Sequence, residues 1–153
     1  MRIYLGLGTN LGDKELNLRV AVQKIEERIG KVISLSAFYA TAPWGFQSDN
    51  NFLNAAAGGE TSLSPFDILE RTQRIEQEIG RLHKSHDGVY SDRLIDIDLL
   101  LYGDKILQDE RLSLPHPLMA ERKFVLEPLA EIAPDVVHPV LHKTIRELFL
   151  VLS

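Results

Sequence analysis

Residues Ile95-Asp96-Ile97-Asp98-Leu99 alternate aliphatic and acidic side chains at every position. A period of two belongs to an extended strand, whose successive side chains leave on opposite faces. The spacing predicts a strand with Ile95, Ile97 and Leu99 turned into a core and Asp96 and Asp98 sharing the other face. At a rise of roughly 3.3 Å per residue, the two aspartate Cα atoms would stand about 6 to 7 Å apart. The fold must therefore bury one side of this strand and accommodate two neighbouring carboxylates on the other.

The other periodicities narrow the choice of fold. Residues 2–8 alternate as a strand and run into Gly8-Thr9-Asn10-Leu11-Gly12-Asp13, a turn in which Asp13 is placed to cap a helix. Leu18, Ala21, Val22, Ile25 and Ile29 form one apolar stripe, which predicts a helix over 14–29 stopped by Gly30. A second strand is expected over 31–39, with Ile33, Leu35, Ala37 and Tyr39 on one face. A third, over 52–59, carries no charge, as suits a central strand. Ser64-Pro65-Phe66-Asp67 reads as a helix start with a capping box, and Ile68, Thr72, Ile75 and Ile79 line that helix up to Gly80. Residues 81–93 read as a polar loop before the strand at 95–102. Beyond Gly103-Asp104, short strands, prolines and at least two short helices are expected, the clearest near Pro117 to Arg122 and Thr144 to Val151. The order predicts an α+β, ferredoxin-like sandwich: an antiparallel sheet with two main helices on one face and a C-terminal extension that thickens one edge or adds a further strand. With no repeat or linker, residues 1–153 are expected to form a single domain.

Composition excludes several classes. The chain lacks cysteine, which rules out a disulfide framework and a thiolate metal site and fits the cytoplasm. No apolar run approaches the length of a bilayer span, and Met1-Arg2-Ile3-Tyr4-Leu5 reads as a strand rather than a signal peptide. The net charge of −5 disfavours non-specific nucleic-acid binding. Basic residues nevertheless gather around the aspartate strand: Arg71, Arg74, Arg81, His83, Lys84, His86 and Arg93 before it, and Arg111, His116, Arg122 and Lys123 after it.

Two carboxylates on one face of an apolar strand repel each other and lose water. Either they are solvated or paired with Arg93 or Arg122, or they hold a hard cation. Magnesium takes oxygen ligands and often binds through one or two carboxylates plus substrate phosphates. The surrounding cations suit non-bridging phosphate oxygens, although the standard glycine-lysine phosphate loop is absent. Gly6-Leu7-Gly8-Thr9-Asn10-Leu11-Gly12 matches it only loosely and reads as a tight strand-to-helix turn. Thr41, Pro43, Trp44, Phe46, Phe52, Asn54 and Phe124 form a candidate pocket for a flat heteroaromatic ring, with Asn54 offering amide groups to its edge. Taken alone, Phe52 and Phe124 fit a plain core better than a pocket. A ligand-binding regulatory domain and an RNA-binding module share the topology. The RNA reading requires a basic sheet face, where this chain has Asp96 and Asp98.

Gly8-Thr9-Asn10-Leu11-Gly12, Phe38-Tyr39 with Thr41, Phe52-Leu53-Asn54-Ala55-Ala56, Arg93 through Leu100, and Leu114-Pro115-His116-Pro117 occur in this order along the whole chain. Together they resemble the 6-hydroxymethyl-7,8-dihydropterin pyrophosphokinase family of folate biosynthesis. The resemblance implies one catalytic domain that passes the pyrophosphoryl group of ATP to the hydroxymethyl group of the pterin and releases AMP. It implies two magnesium ions on Asp96 and Asp98, with Arg81 and Arg93 joining that pair as catalytic residues. The implied ATP contacts are Gln73, Glu76, Arg81, Lys84, Arg93, Ile97, Arg111, His116 and Arg122. The implied pterin contacts are Thr41, Pro43, Trp44, Phe52, Asn54, Tyr90, Asp96 and Phe124. A monomer acting on small molecules, with no nucleic-acid or membrane partner, is also implied. The chain departs from the pattern in three places. Tyr90-Ser91-Asp92 precedes the loop arginine where many relatives carry tryptophan-glycine-proline, His83 stands where some carry arginine, and Trp44 replaces a smaller apolar contact.

Overall fold

The computed structural model describes residues 1–41, 51–82 and 94–153, leaving aside the side chains of residues 81 and 82. Its strands and helices follow in the order β1 (Arg2–Thr9), α1 (Lys14–Arg28), β2 (Lys31–Leu35), β3 (Tyr39–Thr41), β4 (Phe52–Glu60), α2 (Pro65–Leu82) and β5 (Asp96–Tyr102). A small hairpin, β6 (Leu107–Gln108) and β7 (Ser113–Leu114), leads to a 3-10 turn at Met119–Glu121, then α3 (Lys123–Ile132) and α4 (Ile145–Leu152). The main sheet runs β2-β4-β1-β5, with β3 also paired to β4, and every described pairing is antiparallel. This is the expected α+β sandwich.

Local chemistry accounts for the helix starts. The Asp13 side chain accepts from the Leu16 N–H, Ser64 Oγ from the Asp67 N–H, and Thr144 forms a complete capping box with Glu147. Leu18, Ala21 and Ile25 of α1 and Ile68, Ile75 and Ile79 of α2 pack on Ile3, Leu5, Leu7, Ile97 and Leu99 from one face of the sheet. Lys24 and Arg28 of α1 both reach Glu78 of α2, Arg28 at 2.5 and 2.7 Å, so a charged clasp closes the helix pair.

Three expectations are corrected. The strand expected over 31–39 is two strands, broken where Ser36 accepts from the Ala56 N–H and donates to the Ala37 carbonyl. Ile33 and Leu35 lie together on the exposed side of β2, and Val32 packs on the core. The helix expected to stop at Gly80 continues to Leu82, because buried Ile75 and Ile79 outweigh the roughly 1 kcal/mol cost of a helical glycine. Gly30 is required for a different reason from a left-handed cap: a Cβ there would lie 2.0 Å from the Glu60 carbonyl oxygen.

The C-terminal extension does not thicken an edge. It folds back across the second face of the sheet, where Leu126, Leu129, Ile145 and Leu148 pack with Met119 on Tyr4, Ala56, Leu100 and Leu101. Both faces of β1 and β4 are thereby covered along part of their length.

Candidate active site

The second core places the site. Tyr4, Ala56 and Leu100 belong to the face covered by α3 and α4. Counting in twos along β1, β4 and β5 continues that face through Gly6 and Gly8, Asn54 and Phe52, and Asp98 and Asp96. Antiparallel register aligns these residues in two rows: Asn54–Gly8–Asp96 and Ala56–Gly6–Asp98. With strands about 4.8 Å apart, Asn54 and Asp96 stand about 10 Å from each other across a glycine. Because α3 begins only at Lys123, this end of the face lies open. The result is a cavity of about 340 Å³ with the glycines as its floor, the aspartates on one side, Asn54 and Phe52 on the other, and Arg122 and Phe124 at its rim.

Each wall has its own support. Asn54 is 5% exposed and donates from Nδ2 to Thr41 Oγ1 at 3.0 Å. A Cβ on Gly8 would approach Asn54 Oδ1 to 2.9 Å, so the carboxamide lies directly over that glycine. β3, which carries Thr41, is tied to α3 by Glu131. Its carboxylate accepts the Tyr39 hydroxyl at 2.5 Å and the Ala37 N–H at 3.1 Å. The hydrogen bond to Glu131 pushes the Tyr39 phenol up to about 12. The Arg122 guanidinium lies over the Phe124 ring, 5.6 Å from its centroid.

β5 is an edge strand, and side groups hold its open edge. Glu76 of α2 accepts the Ile97 N–H at 2.7 Å. The N–H and carbonyl of one strand residue point the same way, so the Ile97 carbonyl also faces that edge. The His116 N–H donates to the Leu100 carbonyl, which brings the imidazole beside the strand. His116 Nδ1 accepts the Leu118 N–H, leaving the ring proton on Nε2. Burial lowers the His116 pKa, nearby Asp98 opposes that shift, and Arg122 adds to it.

Asp96, Asp98, Phe52, Asn54, Arg122 and Phe124 thus meet in one cavity, and Thr41 touches it through Asn54. Ile97 turns its side chain into the first core, so it reaches the edge by its main chain. Glu76 lies at that edge and Gln73 is exposed one turn earlier on α2. Arg111 is held over Phe66, 5.5 Å from the ring centroid, and does not line the cavity. Pro43, Trp44, Lys84, Tyr90 and Arg93, together with the Arg81 side chain, fall outside the described residues. β1 runs on to Thr9, so Gly8, expected where the strand enters a turn, is a strand residue, and with Gly6 it forms the cavity floor, a role that the alternation over 2–8 does not reveal.

Two carboxylates on one face, beside a cavity wide enough for phosphates, form an all-oxygen donor set that fits magnesium. No cluster of three or more His, Cys, Asp or Glu occurs among the described residues.

The family model described as 7,8-dihydro-6-hydroxymethylpterin-pyrophosphokinase matches residues 4–134. The 2-amino-4-hydroxy-6-hydroxymethyldihydropteridine pyrophosphokinase of Porphyromonas gingivalis is 49% identical over 90% of this chain and 93% of its own length. The enzyme of the same name from Aquifex aeolicus is 39% identical over 95% of this chain and 88% of its own. Among solved structures, wild-type Plasmodium falciparum HPPK-DHPS superposes with a TM-score of 0.79 at 18% identity. That likeness covers 99% of this chain but only 44% of the Plasmodium chain, and it concerns the fold.

Proposed function

Because the chain belongs to the 7,8-dihydro-6-hydroxymethylpterin-pyrophosphokinase family, we propose that the cavity over Gly6 and Gly8 is where its reaction takes place. The chain is an ATP-dependent pyrophosphokinase that transfers the pyrophosphoryl group of ATP to hydroxymethyldihydropterin in folate biosynthesis. The family uses ATP and magnesium. The observation that carries the site assignment is the pair of rows Asn54–Gly8–Asp96 and Ala56–Gly6–Asp98. They set an amide edge and two carboxylates on opposite sides of a flat floor.

In this reading the pterin lies over the glycines, its edge against Asn54 and its ring beside Phe52 and Phe124. Thr41 fixes which way the Asn54 amide points. Asp96 and Asp98 would hold two magnesium ions, which when bound neutralise and orient the phosphates. Arg122 and the His116 Nε2–H face the same phosphates, and the Ile97 carbonyl offers an acceptor to the base of the nucleotide. Gln73, Glu76 and Arg111 complete the nucleotide side. Arg81, Lys84 and Arg93 contribute positive charge, and Pro43, Trp44 and Tyr90 cover the pterin. The pterin alcohol oxygen bonds to the β-phosphorus and gives up its proton to water, the bond from that phosphorus to the α–β bridging oxygen breaks, and AMP leaves with that oxygen. Arginine and histidine donors offset the charge that gathers there. Residues 1–153 act as one catalytic domain, as a cytoplasmic monomer on small molecules, without nucleic-acid or membrane partners.

Incubating the protein with ATP, magnesium and 6-hydroxymethyl-7,8-dihydropterin tests the reading. AMP should form in step with pyrophosphorylated pterin, and only when the pterin is present. AMP formed at the same rate without pterin, or none formed with it, would overturn it.

A further inference from the structure

Thr9 and Asn17 are polar, each 1% exposed, and neither has a role in the site described so far. Thr9 follows Gly8 and so points away from the cavity, towards α1. Asn17 Nδ2 donates to Thr9 Oγ1 at 3.3 Å and to the Leu11 carbonyl at 2.9 Å. An amide nitrogen only donates, so the Thr9 oxygen must accept there. The single hydroxyl proton is thereby directed to its other partner, the Leu94 carbonyl.

The place of this bond gives it a consequence. The ladder between β1 and β5 ends at the pair Gly8 and Asp96. One residue further along β1, the Thr9 side chain takes over where main-chain pairing stops and holds Leu94, two residues before Asp96. From the outer edge, Glu76 holds the Ile97 N–H. Asp96 therefore sits between two pinned residues at the start of an edge strand.

We infer that Thr9, oriented by Asn17, is a positioning residue for the Asp96–Asp98 pair: by fixing the Leu94 carbonyl from beneath the sheet, it sets where the Asp96 carboxylate stands relative to Asp98. The inference rests on the reading of these aspartates as metal ligands. Groups that orient metal ligands from outside the coordination shell change metal affinity by about 10- to 100-fold when removed. A buried hydroxyl that served folding alone would leave that affinity unchanged in the folded variant.

The test is manganese binding, followed by electron paramagnetic resonance, to the full chain with a non-hydrolysable ATP analogue, well below each variant's melting midpoint. Thr9→Val keeps the side-chain shape and loses the hydrogen bond. It should weaken manganese binding about tenfold, whereas Thr9→Ser should bind as the wild type does. Should Thr9→Val not fold, Thr9→Ser against Thr9→Ala isolates the hydroxyl in the same way. Wild-type affinity in Thr9→Val, or an equal loss in Thr9→Ser, would overturn the inference. Asp98→Asn in the same assay separates the two readings. If it binds manganese normally, the metal assignment itself fails; if it loses binding while Thr9→Val does not, only the role of Thr9 fails.

Discussion

Gly8 has no side chain, and both the floor of the cavity and the placement of Asn54 depend on that. A methyl group there would come within 2.9 Å of Asn54 Oδ1, while the other end of the same carboxamide is held by Thr41. Gly8→Ala must therefore turn the amide out of line or push the strands apart. We predict that Gly8→Ala and Asn54→Ala each weaken pterin binding about 10-fold or more, the worth of one or two lost hydrogen bonds at about 1 kcal/mol each. Binding of an ATP analogue, measured by calorimetry, should change far less. An equal loss of both ligands would move these residues from the pterin pocket into the general scaffold. At this scale the sequence was most legible where chemistry and period coincide. Asp96 and Asp98 are conspicuous because acids interrupt an aliphatic strand every second residue. Gly6 and Gly8 are ambiguous because the same residue serves turns and close approaches. The burial of Thr9 was not legible, since a short polar residue after a strand ordinarily marks a solvated turn, nor was that of Asn17, a polar residue outside the apolar stripe of its helix.

Among the elements, the two amphipathic helices and the central strands were readable because their stripes are long. β2 and β3 were not separable, because the break depends on Ser36 meeting a backbone partner on β4 twenty residues away. α3 escaped notice because Pro128 lies inside it, and proline ordinarily ends a helix. Burial of Leu126 and Leu129 on the second face of the sheet overrides that preference. The clasp between α1 and α2 gives a prediction at this scale. Hydrogen bonds from Arg28 and Lys24 lower the Glu78 carboxyl from 4.5 to about 2. A carboxylate depressed in the folded state adds stability above its unfolded value, and that contribution is lost as pH falls through the folded one. The wild type should therefore lose stability between pH 4.5 and about 2 more steeply than Glu78→Gln, as urea midpoints across that range would report. Parallel profiles would show that the clasp contributes nothing measurable.

For the whole molecule, the unread feature was the C-terminal third. A sheet with helices on one face leaves its other face for a ligand, an RNA strand or more protein. Here α3 and α4 cover part of it and stop short at Arg122, which converts an open face into a cavity at one end. That arrangement removes the broad platform an RNA-binding module needs. No helix among the described residues is long and apolar enough to cross a membrane. The resemblance of short motifs, now joined by 49% identity to a relative over 90% of the chain, fixes the family. What the fold adds is the reason those motifs are adjacent: three strands bring Asn54, Gly8 and Asp96 into one row.

The grip on metal and nucleotide rests on the Asp96–Asp98 pair. Its most direct test is the turnover of Asp98→Ala with saturating ATP and pterin across a magnesium titration, alongside circular dichroism and a melting curve. We predict a loss of about 100-fold or more, on the scale of removing a principal electrostatic stabiliser, with the fold intact and no recovery at high magnesium. Near-normal turnover at saturating magnesium would contradict it.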